Sequence, residues 1–161
     1  MIRILHCLGW IASGGVEQRR RMMASNLPKG VFEHAIICQS ASGDVPRKLQ
    51  KQGWRIEVIG KPRHILDPAW HRKAITVARS FKPDIVHGAV YEGEALACSI
   101  GGALPSVPVI MEETSFPVNR RWTGNALMRA MLLRADVAVG VSPAVGDYLK
   151  KTLLMPSKKV R

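Results

Sequence analysis

Ile2-Arg-Ile-Leu-His-Cys-Leu-Gly-Trp-Ile-Ala-Ser-Gly-Gly-Val-Glu17 is the stretch that decides the fold. Its first residues, Ile2–Leu8, form an apolar run of strand length. Gly9 to Gly15 break that run, and Val16–Leu27 reads as a helix ended by Pro28 and Gly30. A buried strand that passes through a glycine loop into a helix is the first half of a βαβ unit. The same alternation recurs down the chain. Glu33–Cys38, Arg55–Ile59, Asp84–His87, Val109–Glu112 and Val137–Val141 read as strands. Asp44–Gln52, a helix from Asp67-Pro68 to Phe81, Gly93–Ala103, Arg120–Leu133 and a helix from Ser142-Pro143 to Lys151 lie between and after them. Asp or Ser followed by Pro is a helix start, because the side chain caps free N–H groups and proline presets the first helical φ. Lys159-Val160-Arg161 reads as the start of a further strand. The pattern predicts an α/β fold, a Rossmann-like parallel β-sheet with helices on both faces, with residues 1–161 as one domain.

Composition agrees with a packed domain. The chain has 161 residues, 47% of them hydrophobic and 22% charged, which is ordinary for a globular fold and too apolar for disorder. Its formal charge of +12 attracts polyanions such as phosphorylated substrates, anionic lipid or nucleic acid. Nucleic acid is the weakest of these, because no recognition motif is present and aromatic residues make up only 6%, too few for a stacking platform. The three cysteines, Cys7, Cys38 and Cys98, have no metal-ligand spacing and read as free thiols in a reducing compartment, so no metal is expected. The N-terminus lacks signal-peptide features and no run reaches the length of a membrane span, so a cytoplasmic protein is expected.

An open parallel sheet binds ligands at the carboxyl ends of its strands, near the point where the strand order reverses. The loops after Leu8, His87, Glu112 and Val141 are therefore the candidates. In the first, Gly14 and Gly15 leave backbone N–H groups bare, and the helix start adds partial positive charge suited to a phosphate. A tight turn that needs glycine is the other account. Neither the dinucleotide fingerprint nor a P-loop is present. In the second loop His87 closes a strand, and Tyr91, Glu92 and Glu94 follow. Polar groups there can bind sugar hydroxyls, although a structural role also accounts for His87. The third loop, Met111-Glu-Glu-Thr-Ser-Phe-Pro117, carries adjacent carboxylates. Neighbours in an extended chain point to opposite sides, so only one of Glu112 and Glu113 faces the crevice. There it binds an acceptor hydroxyl or serves as a base, unless it is simply solvated loop charge. Ser142 caps a helix.

Cationic residues are spread along the chain. Arg19, Arg20 and Arg21 lie on the first helix, and Arg120, Arg121, Trp122, Arg129 and Arg134 accompany Met128, Met131 and Leu132. An apolar stripe flanked by arginine with an interfacial Trp suits an anionic membrane surface. Packing of that stripe into the core, with a solvated basic face outside, is the alternative.

Ile4-Leu-His-Cys-Leu-Gly9 with Ser13-Gly-Gly-Val-Glu17, Pro83-Asp-Ile-Val-His87, Val107-Pro-Val-Ile110 with Glu112, and Ala135-Asp-Val-Ala-Val-Gly-Val-Ser142 occur in this order across nearly the whole chain. The set resembles the N-terminal domain of family 4 (group 1) GT-B glycosyltransferases. The resemblance implies one half of a GT-B fold, which binds the acceptor. A C-terminal domain, absent from this chain, would bind the nucleotide-sugar donor as substrate, with no cofactor. It implies a retaining enzyme that transfers a sugar, of hexosyl type, to a glycan or lipid-linked acceptor in cell-envelope polysaccharide or lipopolysaccharide assembly. In that reading Gly14 and Gly15 face the donor phosphates. His87, Glu92, Glu113 and Thr114 line the acceptor side, and Glu113 is the catalytic candidate. The sequence departs from the family at two places: Glu113 stands where members often have His, and Ala89 stands where many have a second His. The isolated domain is expected to be inactive, and an exposed domain interface would favour oligomers. A non-catalytic module that binds glycans or a partner is the alternative function.

Overall fold

The computed structural model describes residues 1–12, 14–28, 30–116 and 120–161. Ser13 of the glycine loop and Pro117 of the third candidate loop lie outside the described residues. In chain order the elements are β1 (Ile2–Cys7), β2 (Trp10–Ile11), α1 (Gly15–Asn26), β3 (Phe32–Cys38), β4 (Ser40–Ala41), α2 (Asp44–Lys51), β5 (Arg55–Val58), α3 (Pro68–Phe81), β6 (Ile85–Ala89), α4 (Val90–Ala103), β7 (Val109–Glu113), α5 (Trp122–Leu132), β8 (Val137–Gly140) and α6 (Pro143–Lys151).

Six strands form one parallel sheet in the order β5-β3-β1-β6-β7-β8. The chain begins in the middle at β1, moves outward through β3 and β5, returns over α3, and fills the other half with β6, β7 and β8. The direction of travel reverses between β1 and β6, which lie side by side with Cys7 opposite Gly88. The connections leave these two strands in opposite directions, so their carboxyl ends open a crevice.

The pleat divides each strand between two layers. Leu5 and Cys7 of β1, Ile37 of β3, Val86 of β6 and Met111 of β7 join the larger core with Trp70, Phe81, Leu96, Met128 and Leu149. Ile36, Cys38, Leu49 and Trp54 form a smaller core with Leu8 and Ile11. Burial pushes the Cys38 thiol up to about 12 and raises that of Cys7 further, so both behave as small apolar residues. Asp67 and Ser142 cap α3 and α6 through Ala69 N (3.0 Å) and Val145 N (3.3 Å).

Three details differ from the sequence reading. β2 and β4 pair in parallel, tying the loop after β1 to the loop after β3; two residues are too few to show periodicity. Val160 bridges Ala138 after a short 3-10 turn over Ser157–Lys159, so the expected last strand is a single bridge. Third, α4 begins at Val90 rather than Gly93, directly at the end of β6. To turn this sharply Val90 adopts φ 63°, a conformation that costs a β-branched residue about 1–3 kcal/mol. The turn is possible because α4 approaches the sheet backbone closely. A Cβ on Gly93 would overlap the Cys7 carbonyl oxygen, and one on Gly88 would come within 2.6 Å of the Gly93 carbonyl oxygen.

Gly93→Ala should therefore destabilise the domain by about 3 kcal/mol or more, since neither backbone can yield without moving β1. Gly102→Ala, on the same helix with nothing within 4 Å of its would-be Cβ, should be neutral or gain about 0.5 kcal/mol. Urea unfolding of the two variants measures the contrast.

Candidate functional site

The crevice holds a cavity of about 190 Å³ bordered by Gly9, Gly14, Gly15, Val90, Glu92 and Thr114. Its walls come from the loop after β1, the abrupt start of α4 and the residue after β7. Glu92 sits in the first turn of α4 and leans over Gly9, where a Cβ would come within 3.3 Å of Oε2. Gly14 is the N-cap of α1, and Glu17 folds back beneath it. A Cβ on Gly14 would lie 2.5 Å from Oε2 of Glu17, so a side chain at 14 would displace that carboxylate. Gly15 differs: its would-be Cβ meets nothing within 4 Å. The bare backbone at Gly15 thus borders open space above the first turn of α1.

The electrostatics of this cavity are mixed. The start of α1 presents main-chain N–H groups and the positive end of its dipole. Glu17 in that first turn offsets part of this potential, and Glu92 adds a second carboxylate across the cavity. An anion is therefore favoured only close to the α1 amides, while the Glu92 side offers acceptors for hydroxyl groups. Those are the two chemistries of a phosphorylated sugar.

Four of the sequence-predicted residues, Gly14, Gly15, Glu92 and Thr114, meet in this cavity. His87 and Glu113 do not line it. Glu112 and Glu113 point to opposite faces of the sheet, as neighbours in a strand must, and each is engaged there. Glu112 is buried against Arg20 (2.9 Å), Arg19 (2.5 Å) and Nε2 of His87 (3.1 Å). Burial pushes its carboxyl upward, but the hydrogen bond from His87 and the charge of Arg20 outweigh it and hold the group down at about 2. Burial lowers the His87 imidazole against the pull of Glu112, and it lowers His6 well below the usual range, with Arg20 adding to the effect. His6, His34 and Trp54 stack beside His87.

Glu113 is only 2% exposed and pairs with Arg120 at 3.0 Å. Arg120 also donates to the Tyr148 hydroxyl at 3.1 Å and lies over the Tyr91 and Tyr148 rings. A carboxylate so enclosed does not meet an acceptor as a base, so the geometry makes Glu113 an anchor for Arg120. Glu94 lies nearby, fully buried, and neither oxygen has a hydrogen-bond partner among the described residues. Burial, reinforced by the charge of Glu113, raises its carboxyl well above the usual range and so favours the protonated form. Sequence reasoning missed the ties of Arg20 and Arg120 to these carboxylates. Arg20 sits in a run of three arginines that gives no sign which one turns inward. Among the described residues no group of three or more side chains is arranged to hold a metal ion.

The sequence profile of the glycosyl transferase 4-like domain matches residues 14–161. No curated protein sequence matches the chain significantly. Among solved structures, a glycosyltransferase from Rickettsia africae is similar with a TM-score of 0.73 at 17% identity, covering 99% of this chain and 42% of that one. HepE of Anabaena, in complex with UDP and glucose, gives 0.77 at 13% identity, covering 100% of this chain and 43% of its own. The UDP-GlcNAc 2-epimerase of Neisseria meningitidis, bound to UDP-GlcNAc, gives 0.61 at 17%, covering 99% and 45%. At these identities the likeness is one of fold. The chain spans less than half the length of each.

The Glu112 cluster makes a pH prediction. A carboxyl held below its unfolded value of about 4.3 stabilises the fold above that pH, and the contribution is lost as pH falls towards about 2. Glu112→Gln should flatten this acid limb and destabilise the protein at pH 7 by about 3 kcal/mol, because it leaves Arg20 buried without its counter-charge. Thermal unfolding of both proteins across pH 2–7 checks the slope.

Proposed function

The chain belongs to the glycosyl transferase 4-like domain family, and from that premise we propose that it is the acceptor-side lobe of a retaining, hexosyl-type glycosyltransferase whose donor lobe lies outside this chain. The observation that carries the reading is the crevice cavity, where the open backbone at Gly15 faces Glu92 and Thr114. The Gly14–Gly15 amides would meet the diphosphate of a nucleotide-sugar held by the other lobe. They would oppose the charge that develops on it as the bond to the sugar breaks. Glu92 accepts from a hydroxyl of the acceptor, and Thr114 either donates or accepts. His87 and Glu113 act one step back: His87 steadies Glu112 and Arg20 under the α1 side, and Glu113 holds Arg120.

Nucleotide-sugar as the donor class is supported by HepE with UDP and glucose and by the epimerase with UDP-GlcNAc. The +12 charge favours a phosphorylated, lipid-linked acceptor of cell-envelope polysaccharide or lipopolysaccharide assembly, met at the cytoplasmic face of a membrane. No described helix is long and apolar enough to cross a membrane.

With the donor lobe present, Gly15→Trp should fill the open space and lower transfer by about 100-fold or more. The fold should persist, because nothing stands within 4 Å of the new Cβ. Glu92→Gln should raise the acceptor KM with a smaller change in kcat. Turnover assays with a water-soluble acceptor read both. Full activity of Gly15→Trp would remove the phosphate assignment. Titration of UDP-glucose into the isolated chain should give no binding tighter than about 1 mM; micromolar binding would contradict the division between lobes.

A further inference from the structure

Met128, Met131 and Leu132, the arginine-flanked apolar stripe of the fifth helix, are buried in the core. The opposite face of α5 is unusual. Trp122 is 80% exposed and Leu133, the C-cap, is 85% exposed. Between them Ala126, Arg129 and Ala130 face solvent. At 100° per residue Trp122, Ala126, Arg129 and Leu133 fall within one narrow arc, so a ridge about 16 Å long has a large apolar side chain at each end with Ala126 and the cationic Arg129 between.

Its surroundings are cationic. No Asp or Glu occurs from Thr114 to Ala135, whereas Arg120, Arg121, Arg129 and Arg134 do. From Thr114 to Arg161 there are nine Lys and Arg against two Asp. Both aspartates are already paired, Asp136 with Arg134 and Asp147 with Lys151. Arg129 donates twice to the Thr152 carbonyl, at 2.6 and 3.0 Å. That pins the end of α6 to this helix, and exposed Lys150, Lys151 and Leu154 lie within two residues of Thr152.

We propose that the outer face of α5, with Trp122 and Leu133 as apolar anchors and Arg121, Arg129 and the α6 lysines around them, docks on an anionic lipid surface. Exposed Trp and Leu on a helix without carboxylates match a headgroup layer, where the indole ring sits at the boundary and cations meet lipid phosphates. A protein partner of matching acidity would be expected to leave a more continuous apolar patch than two anchors separated by an alanine and an arginine. None of these residues lines the crevice cavity, so docking through them does not occupy it. The inference rests on the lipid-linked acceptor reading only for the source of the lipid.

The test is co-sedimentation of the chain with vesicles of phosphatidylglycerol and phosphatidylcholine, and with phosphatidylcholine alone. The expected result is binding to the anionic vesicles, falling with salt, and lowered at least about 10-fold by Trp122→Ser/Leu133→Ser. Quenching of Trp122 fluorescence by brominated lipid should accompany it. Leu66→Ser, an exposed apolar residue elsewhere, should leave binding unchanged. Equal loss with Leu66→Ser, or full binding by the double variant, overturns the assignment. So does a Trp122-dependent dimer in sedimentation equilibrium without vesicle binding, which would make the face a contact between copies. Transfer to a water-soluble acceptor by the two-lobed enzyme is read separately. Intact transfer with no vesicle binding rejects this surface alone, whereas binding without any transfer rejects the function and keeps the surface.

Discussion

The contact of the Gly93 backbone with the Cys7 carbonyl oxygen is the constraint on which the rest of the crest depends. It lets α4 start at the last residue of β6 with no loop between, at the cost of a strained Val90. A conventional loop would carry Glu92 away from the sheet. The abrupt turn instead holds it over Gly9, at the point where the strand order reverses. The cavity is thus a product of backbone packing rather than of any one polar side chain. Strain held in place by close packing is common where a fold presents a ligand site.

Beneath the crest, charge is organised in two separate clusters. On the α1 side Glu112 is shared by Arg19, Arg20 and His87. On the other side Glu113 and Arg120 engage Tyr148, with the buried carboxyl of Glu94, raised by that burial, beside them. Adjacent residues of one strand therefore fasten two different layers to the sheet: α1 through Glu112, and the start of α5 and α6 through Glu113. Removing a partner from either pair strands a buried charge, which is why such pairs resist change even when they contribute little net stability.

Much of the fold was legible. Asp67-Pro68 and Ser142-Pro143 named helix starts to the residue, because capping is local chemistry. The parallel sheet followed from buried runs alternating with helices, and the family that the ordered motifs resembled is the one whose profile matches residues 14–161. The start of α4 was not legible: nothing local tells a strand to turn at a valine, and the cause is a glycine that touches β1 across the sheet. For the site, glycines and short polar residues at the crest were readable from topology. The fate of Glu113 and His87 was not, since pleat direction and the reach of Arg20 and Arg120 decide it. The same holds for α5, where the arginines were visible but the face that carries exposed Trp122 and Leu133 depends on which side packs.

The fold is shared with an epimerase as well as with glycosyltransferases, so the ligand's position decides more than its presence. The most direct measurement is a crystal structure of this chain joined to the proposed donor lobe, with a nucleotide-sugar bound. The account predicts a phosphate oxygen within hydrogen-bond distance of the Gly15 amide and the Glu92 carboxylate beside the acceptor space. A diphosphate bound remote from α1, with the crevice cavity vacant in the closed enzyme, would contradict it.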